Sequence, residues 1–407
     1  MSQRWNKAVS ILSVGALAMA VVPLAMGTAT SSASSKPTFV IGVQGPFSGA
    51  DAEYGDYDFG GATLAANTAN KDGMDPFIIK IEKFDDQGSP TLSPAAAQKA
   101  VGTKNLVAII GPAFSGASES AAKYYKAAHV AEVSPSATAV ALATSGNTSW
   151  FRDVADDSVQ GSADAKFLVS TKKVTSLLVI ADGSFYGDGL AAVVAADAKK
   201  LGATVTTETI DAVNNGGSGV ATEYPTDATQ IAGKDPSAIF YGGYDADLGL
   251  LLGALASAGY SASSHTIMSG DGSNVAALYS TDTTPQSAAN DVYLSESATG
   301  KVSFFTGKLA TAYKALTHIK ASTAIYAAQA YDGTNAIIKS LLKLGVKSSS
   351  SISSLRKGII TQLHKVNFEG VTGQISFQAD GNLKDDTGAV AISQMQNGVI
   401  TFVTNEG

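Results

Sequence analysis

Cysteine is absent from the 407 residues, and charge is sparse: Asp, Glu, Lys and Arg together make up 15%, with a net charge of −7. The missing thiols exclude a disulfide scaffold, a thiolate metal site, a cysteine nucleophile and an anchor on a lipid-modified cysteine. Basic runs are missing too, which in an acidic chain argues against nucleic acid, since that binding rests on phosphate neutralisation. Histidine is limited to His129, His265, His318 and His364, with no H-E-x-x-H and no acid at ligand spacing. Neither G-x-S-x-G nor G-x-x-x-x-G-K-[ST] occurs. No metal or cofactor is expected. Beyond the first segment, no apolar run approaches the roughly 18 residues of a membrane span. The hydrophobic share of 45% is spread in short runs, as in a soluble globular chain.

What is present begins with a leader. Met1–Lys7 carries Arg4 and Lys7, Ala8–Met26 is apolar apart from Ser10 and Ser13, and Gly27–Ser35 is rich in small residues. That is the layout of a secretory signal peptide, expected over 1–35. Ser31-Ser32-Ala33 fits the cleavage site and Ala29 fits it equally; an uncleaved anchor helix is the alternative, disfavoured by Pro23. The mature chain is long enough for two domains of about 150 residues.

From Phe39 onward, strand-like and helix-like stretches alternate. Phe39–Gln44, Ile78–Phe84, Val107–Ile110 and Ala131–Val133 read as strands. Between them, Tyr57–Asn70, Pro94–Thr103 (with Ser93-Pro94 as its start signal) and Ser115–Ala128 read as helices. The alternation restarts after Trp150 with strands at Leu177–Ala181, Thr204–Ile210, Ala238–Tyr241 and Thr266–Ser269. Late helices are expected at Phe304–Leu316, Thr323–Leu344 and Ile352–His364, and closing strands at Gly373–Phe377, Gly388–Ser393 and Val399–Val403. Repeated βαβ units imply α/β architecture, with parallel sheets covered by helices on both faces.

Gly187-Asp188-Gly189-Leu190-Ala191-Ala192 matches G-x-G-x-x-A at a helix start. It lies well past the end of its strand, whereas a dinucleotide fingerprint needs the tight turn at once. The preferred reading is a close helix start. Polar residues collect instead at the C-terminal ends of strands, where open parallel sheets bind ligands. Ser115 follows one strand at a helix start, and its hydroxyl with the free N–H groups suits a carboxylate. Ser134–Thr138 follows the next strand in the same way, Asp271 follows Ile267–Met268 and suits an ammonium, and Tyr54, Tyr186 and Tyr244 follow other strands. Each alone reads as a cap or loop residue. Together, in both halves, they suggest two lobes clamping an α-amino acid.

At these residues the chain resembles a known family. The segments IGVQGPFSGADAEYGDYDFGGATLA (41–65), KFDDQGSP (83–90), AIIGPAFSG (108–116) and VSPSAT (133–138) carry the resemblance. So do FRDVADDSVQG (151–161), YGDGLA (186–191), IFYGGYDAD (239–247) and SGDGS (269–273). The chain is similar to the periplasmic substrate-binding proteins of branched-chain amino acid ABC importers, of the leucine/isoleucine/valine type. The resemblance implies a type I periplasmic binding fold: two doubly wound lobes joined by three hinge crossovers. Lobe 1 would comprise 36–152 plus 297–372, and lobe 2 would comprise 153–296 plus 373–407. By the same resemblance, Ser115, Thr138 and backbone near Ala137 would hold a ligand carboxylate, and Asp271 would pair its ammonium. Tyr54 would wall the first lobe, and Tyr186 and Tyr244 the second. Asp271 stands where these relatives often have Glu, and Tyr54 where they commonly have Trp.

The expectation is an exported, monomeric, non-catalytic protein that passes an amino acid or related solute to ABC permease subunits. An exported sensor of the same fold, acting on a small amide or other polar solute through a separate signalling partner, is the alternative. No lipoprotein anchor is expected without cysteine.

Overall fold

The computed structural model describes residues 36–73, 75–214, 216–279, 286–296, 304–347, 349–384 and 390–406. The expected signal peptide (1–35) and the lobe boundary expected at 297 lie outside the described residues.

The first series runs β1 (Thr38–Gly45), α1 (Ala52–Asp72), β2 (Ile78–Asp85), α2 (Ser93–Gly102), β3 (Leu106–Ile110), α3 (Ser115–Ala128), β4 (Ala131–Ser134), α4 (Ala141–Thr144) and β5 (Trp150–Arg152). Its strands form one parallel sheet in the order β2-β1-β3-β4-β5. β3 (LVAII) is buried throughout, as a central parallel strand must be, whereas β2, at the edge, leaves Lys80, Glu82, Lys83 and Asp85 exposed. The second series runs α5 (Asp157–Lys166), β6 (Ser176–Ala181), α6 (Phe185–Lys200), β7 (Thr204–Thr209), α7 (Tyr224–Lys234), β8 (Ala238–Gly242), α8 (Asp245–Ser257), β9 (Thr266–Ser269), α9 (Gln286–Ala289) and β10 (Tyr293–Glu296). Helices α10 (Gly307–Thr317), α11 (Ala327–Lys343) and α12 (Ile352–Leu363) follow, then β11 (Phe368–Glu369), β12 (Gln374–Ile375), β13 (Val390–Gln396) and β14 (Val399–Glu406). The second sheet has the order β14-β13-β10-β9-β8-β6-β7, with its last two strands antiparallel.

Period-two alternation places the helices on both faces of each sheet. On β6, Leu178 and Ile180 meet Ile231, Leu248 and Leu252 of α7 and α8, while Leu177 and Val179 meet Leu190 and Val194 of α6. Helices α1, α11 and α12 cover one face of the first sheet, and α2 and α3 cover the other. α1 lies so close to the start of α11 that a Cβ on Gly61 would stand 2.0 Å from the Ala327 carbonyl oxygen.

Two readings of the sequence change. Ser93 does not cap α2; it lies buried in the first turn, accepting from Gln44 Nε2 at 2.7 Å and donating to the Ala117 carbonyl at 2.7 Å. The stretch expected to open the second lobe at 373 packs with the first. Ile375, Phe377 and Leu383 share a core with Phe151, Val133 and Ile110, and the second sheet resumes only with Val390. Phe377 stacks edge-on against Phe151, and that apolar contact holds the segment there.

Arg152 at the end of β5 is fully buried. Its guanidinium donates to the carbonyls of Ala137 (3.3 Å) and Ala139 (2.9 Å), to Asn382 Oδ1 (2.7 Å) and to Asp156 (3.1 Å). Removing one partner of a buried ion pair strands the other, at about 3–5 kcal/mol. Arg152→Ala is therefore expected to lower unfolding stability by that amount in urea titrations, and a loss below about 1 kcal/mol would contradict this role.

Candidate functional site

Both sheets reverse their strand order, the first between β1 and β3 and the second between β6 and β8. Crevices beyond the carboxyl ends of strands form at such switch points. The loops leaving those ends meet at a small cavity of about 10 Å³, lined by Tyr54, Ala113, Phe114, Ser115, Ser136, Tyr186, Tyr244, Asp271, Gly272 and Tyr326. That volume holds about one water.

Of the seven residues expected from sequence, five line this cavity: Tyr54, Ser115, Tyr186, Tyr244 and Asp271. Ala137 and Thr138 do not. The Ala137 N–H donates to Ser134 Oγ at 3.0 Å, and the Thr138 hydroxyl lies against the buried Asp157 carboxyl. Ser136 takes their place in the wall, with its hydroxyl donating to the Ala113 carbonyl at 2.7 Å. Ser115 Oγ accepts from the Ala139 N–H at 3.2 Å, which ties the loops after β3 and β4 together.

Asp271 is 2% exposed. One oxygen accepts the Tyr186 hydroxyl at 2.6 Å and the other accepts the Tyr326 hydroxyl. Burial pushes its pKa up and these hydrogen bonds pull it down, leaving it raised overall. The Tyr54 hydroxyl crosses from the first lobe to the Gly272 carbonyl at 2.9 Å. Phe114 stacks on Tyr244 with centroids 4.3 Å apart, and Tyr54 and Tyr186 pack beside them at 5.4 and 5.2 Å. Asp271 is the only charged residue among those lining the cavity, and it is acidic. A carboxylate ringed by aromatic faces is a receptor for an ammonium group.

More acids stand behind it. Asp157 and Asp164 are fully buried, held above the usual carboxylate range by burial first and by Asp271 as a further cause. Asp51 from the loop before α1 and Asp245 at the start of α8 face each other across the lobes, and burial and then Asp51 raise Asp245. Burial, then Asp51, pushes Glu53 up to about 7.

Sequence reasoning missed Phe114 and Tyr326, and held Ser136 only as part of the Ser134–Thr138 segment. Tyr326 lay within an apparent helix, Thr323–Leu344; in the structure it precedes α11 with a left-handed φ of 68°, which aims its side chain out of the helix register. The glycine motif packs rather than binds: a Cβ on Gly187 would lie 2.4 Å from the Gly242 carbonyl oxygen, and its N–H is taken by the Ser184 cap at 2.9 Å. Among the described residues no cluster of three metal-ligating side chains occurs, and no helix is long and apolar enough to cross a membrane.

The family profile described as periplasmic binding protein matches residues 38–398. The chain belongs to the periplasmic binding protein family, with the type I fold. It is 30% identical over 220 residues to the Leu/Ile/Val-binding protein of Escherichia coli strain K12, covering 54% of this chain and 58% of that one. The chain thus spans less than two thirds of that relative's length. It is 25% identical over 352 residues to the leucine-, isoleucine-, valine-, threonine- and alanine-binding protein of Pseudomonas aeruginosa, covering 86% of this chain and 88% of that one. In structure it is similar to the branched-chain amino acid transporter substrate-binding protein of Streptococcus pneumoniae in complex with isoleucine. There the TM-score is 0.74 at 25% identity, covering 90% of this chain and 99% of that one. The first two are named as amino acid-binding proteins and the third as the substrate-binding protein of a transporter.

The raised acids give the fold a pH signature. Glu53 and Asp182 are pushed up to about 7 and Asp86 to about 6, burial being the largest cause in each. In the unfolded chain such groups ionise near pH 4. Between about pH 4 and 7 the folded chain therefore holds protons that the unfolded chain has released, and stability falls as pH rises. Asp85 and Asp197 are shifted the other way, and their contribution is lost only toward acid below that window. The Tm is expected to fall from pH 5 to pH 8, with a shallower slope in Glu53→Gln. A Tm that rises across this range in calorimetry would contradict the assignment.

Proposed function

We propose that the protein is an extracytoplasmic solute-binding protein that captures an amino acid between its lobes and delivers it to an ABC importer. The observation that carries this reading is Asp271, buried at the inter-lobe cavity with tyrosine hydroxyls from both lobes on its two oxygens. A ligand ammonium can replace the Tyr326 hydroxyl there with a charge-assisted bond, which is stronger than a neutral one. The ligand carboxylate would meet Ser115 and the free N–H groups at the start of α3.

With Phe114 stacked on Tyr244, the cavity has no room for an amino acid. Binding therefore needs the lobes to part, the ligand to seat on one of them, and the second lobe to return. A ligand that contacts both lobes stabilises the closed population by its differential affinity. The family membership supports the capture role, and the names of the relatives support an amino acid as the solute class. Export, a monomeric state and docking on permease subunits belong to the same reading.

Calorimetric titration with the standard amino acids is expected to give 1:1 binding in the micromolar range or tighter. Asp271→Ala is expected to weaken it by at least about a hundredfold, because the ligand ammonium would lose its buried counter-charge. Heat from none of the amino acids would sink the reading, and unchanged affinity in Asp271→Ala would remove the ammonium assignment. Trp150, buried against Ala137, Ala139 and Leu142, is expected to change its fluorescence on binding, as it adjoins the loop that would receive the carboxylate.

A further inference from the structure

Behind Asp271 runs a buried chain of hydrogen bonds that the cavity itself does not use. Helix α5 turns Asp157, Gln160 and Asp164 inward, at the three- and four-residue steps that share one helical face, and all three are fully buried. Gln160 Nε2 donates to Ser295 Oγ of β10 at 2.8 Å, and the Ser295 hydroxyl donates onward to Asp164 Oδ2 at 3.1 Å. With its proton committed to Asp164, the Ser295 oxygen acts as the acceptor, which fixes the amide with its nitrogen inward. The Gln160 amide also bonds the Asp271 carboxylate. Gly270 keeps that approach open: a Cβ there would lie 2.7 Å from the Tyr186 hydroxyl oxygen and 3.3 Å from Gln160 Nε2. Gln160 Oε1 has no hydrogen-bond partner among the described residues, so the side chain serves here as a donor.

Three acids crowd this spot, and burial with mutual repulsion leaves little room for more than one negative charge. Asp271 has three side-chain donors: the Tyr186 and Tyr326 hydroxyls and the Gln160 amide. Asp164 has the Ser295 hydroxyl on one oxygen and no partner among the described residues on the other, and Asp157 faces the Thr138 hydroxyl. Burial first, and Asp271 as a further cause, holds both well above the usual carboxylate range. On Asp271 the donors oppose burial. The other titratable groups facing it are Tyr186, Tyr244 and Tyr326, all raised by burial and so protonated at neutral pH. Arg152 stands beyond Asp157, and Glu296 beyond Tyr326.

We propose that Gln160 is a positioning residue for ligand capture: its amide keeps the negative charge of the three acids on Asp271, the one that lines the cavity. This role rests on the capture reading above. A ligand ammonium gains a charge-assisted bond only where Asp271 is ionised. Without the Gln160 donor, Asp271 takes up its proton at a higher pH, and affinity is lost earlier on acidification. A residue that merely filled space would weaken binding equally at every pH.

The test is calorimetric titration at acid and alkaline pH with L-leucine, or with whichever standard amino acid gives the wild type its largest heat. Gln160→Met keeps the side-chain length and removes the donor. It is expected to weaken binding at least about tenfold at about pH 5.5, and no more than about twofold at about pH 8.5. Ser295→Ala, which frees the amide to turn, is the second variant and serves where Gln160→Met does not fold. Its expected loss is about threefold at about pH 5.5, with none at about pH 8.5. Equal losses at both pH values, or no loss in either variant, would overturn the role of Gln160 and leave the capture reading standing on the wild-type titration. Silence of the wild type with every standard amino acid would overturn both.

Discussion

One buried guanidinium holds the crossing point of this molecule together. Arg152 receives a carboxylate from the cap of α5, an amide oxygen from the returning segment at Asn382, and the carbonyls of Ala137 and Ala139. Asn382 lies 230 residues along the chain from Arg152 and the other partners lie within 15, so one planar group fixes the returning segment against the end of the first sheet. The consequence reaches the cavity in one further step, since the Ala139 N–H holds Ser115 Oγ. The Ser115 wall of the cavity is thus placed from Arg152, not by its own helix alone.

The Asp271 side is built on a different principle. Asp271 is kept by hydroxyls rather than by a cation, and the acids around it, Asp157 and Asp164, are held by burial in forms that favour a proton. A site so short of positive charge has no internal counter-ion to displace. The partners of Asp271, the Tyr186 and Tyr326 hydroxyls and the Gln160 amide, are neutral, and neutral bonds are weaker than charge-assisted ones.

Much of this was legible in the chain because parallel sheets put their loops at one end. The residues following Met268, Ala181 and Gly242 are Asp271, Tyr186 and Tyr244, and a strand-by-strand reading finds them without contacts. Thr138 and Ala137 stand back from the cavity because a loop's direction is settled by its own bonds, here the Ala137 N–H to Ser134 Oγ and the Asp157 N–H to the Thr138 carbonyl. Tyr326 escaped notice because nothing in a helical-looking run announces a single left-handed residue. The segment 374–384 was assigned to the second half because strand-like residues do not declare which sheet they join; Phe377 against Phe151 decides it.

The two tyrosine bonds that cross the cleft have water as an alternative partner, so each contributes net only about 0.5–1.5 kcal/mol. The Phe114–Tyr244 stack adds about as much again. Tipping a two-state balance from 1:99 to 99:1 takes about 5.5 kcal/mol of differential binding, so closing contacts of this size leave the choice of state to the solute. They also make Tyr326 a resident rival for Asp271. Any change that strengthened its grip would shrink the fraction of molecules able to receive a ligand, and the apparent affinity would fall in proportion without a single ligand contact being altered.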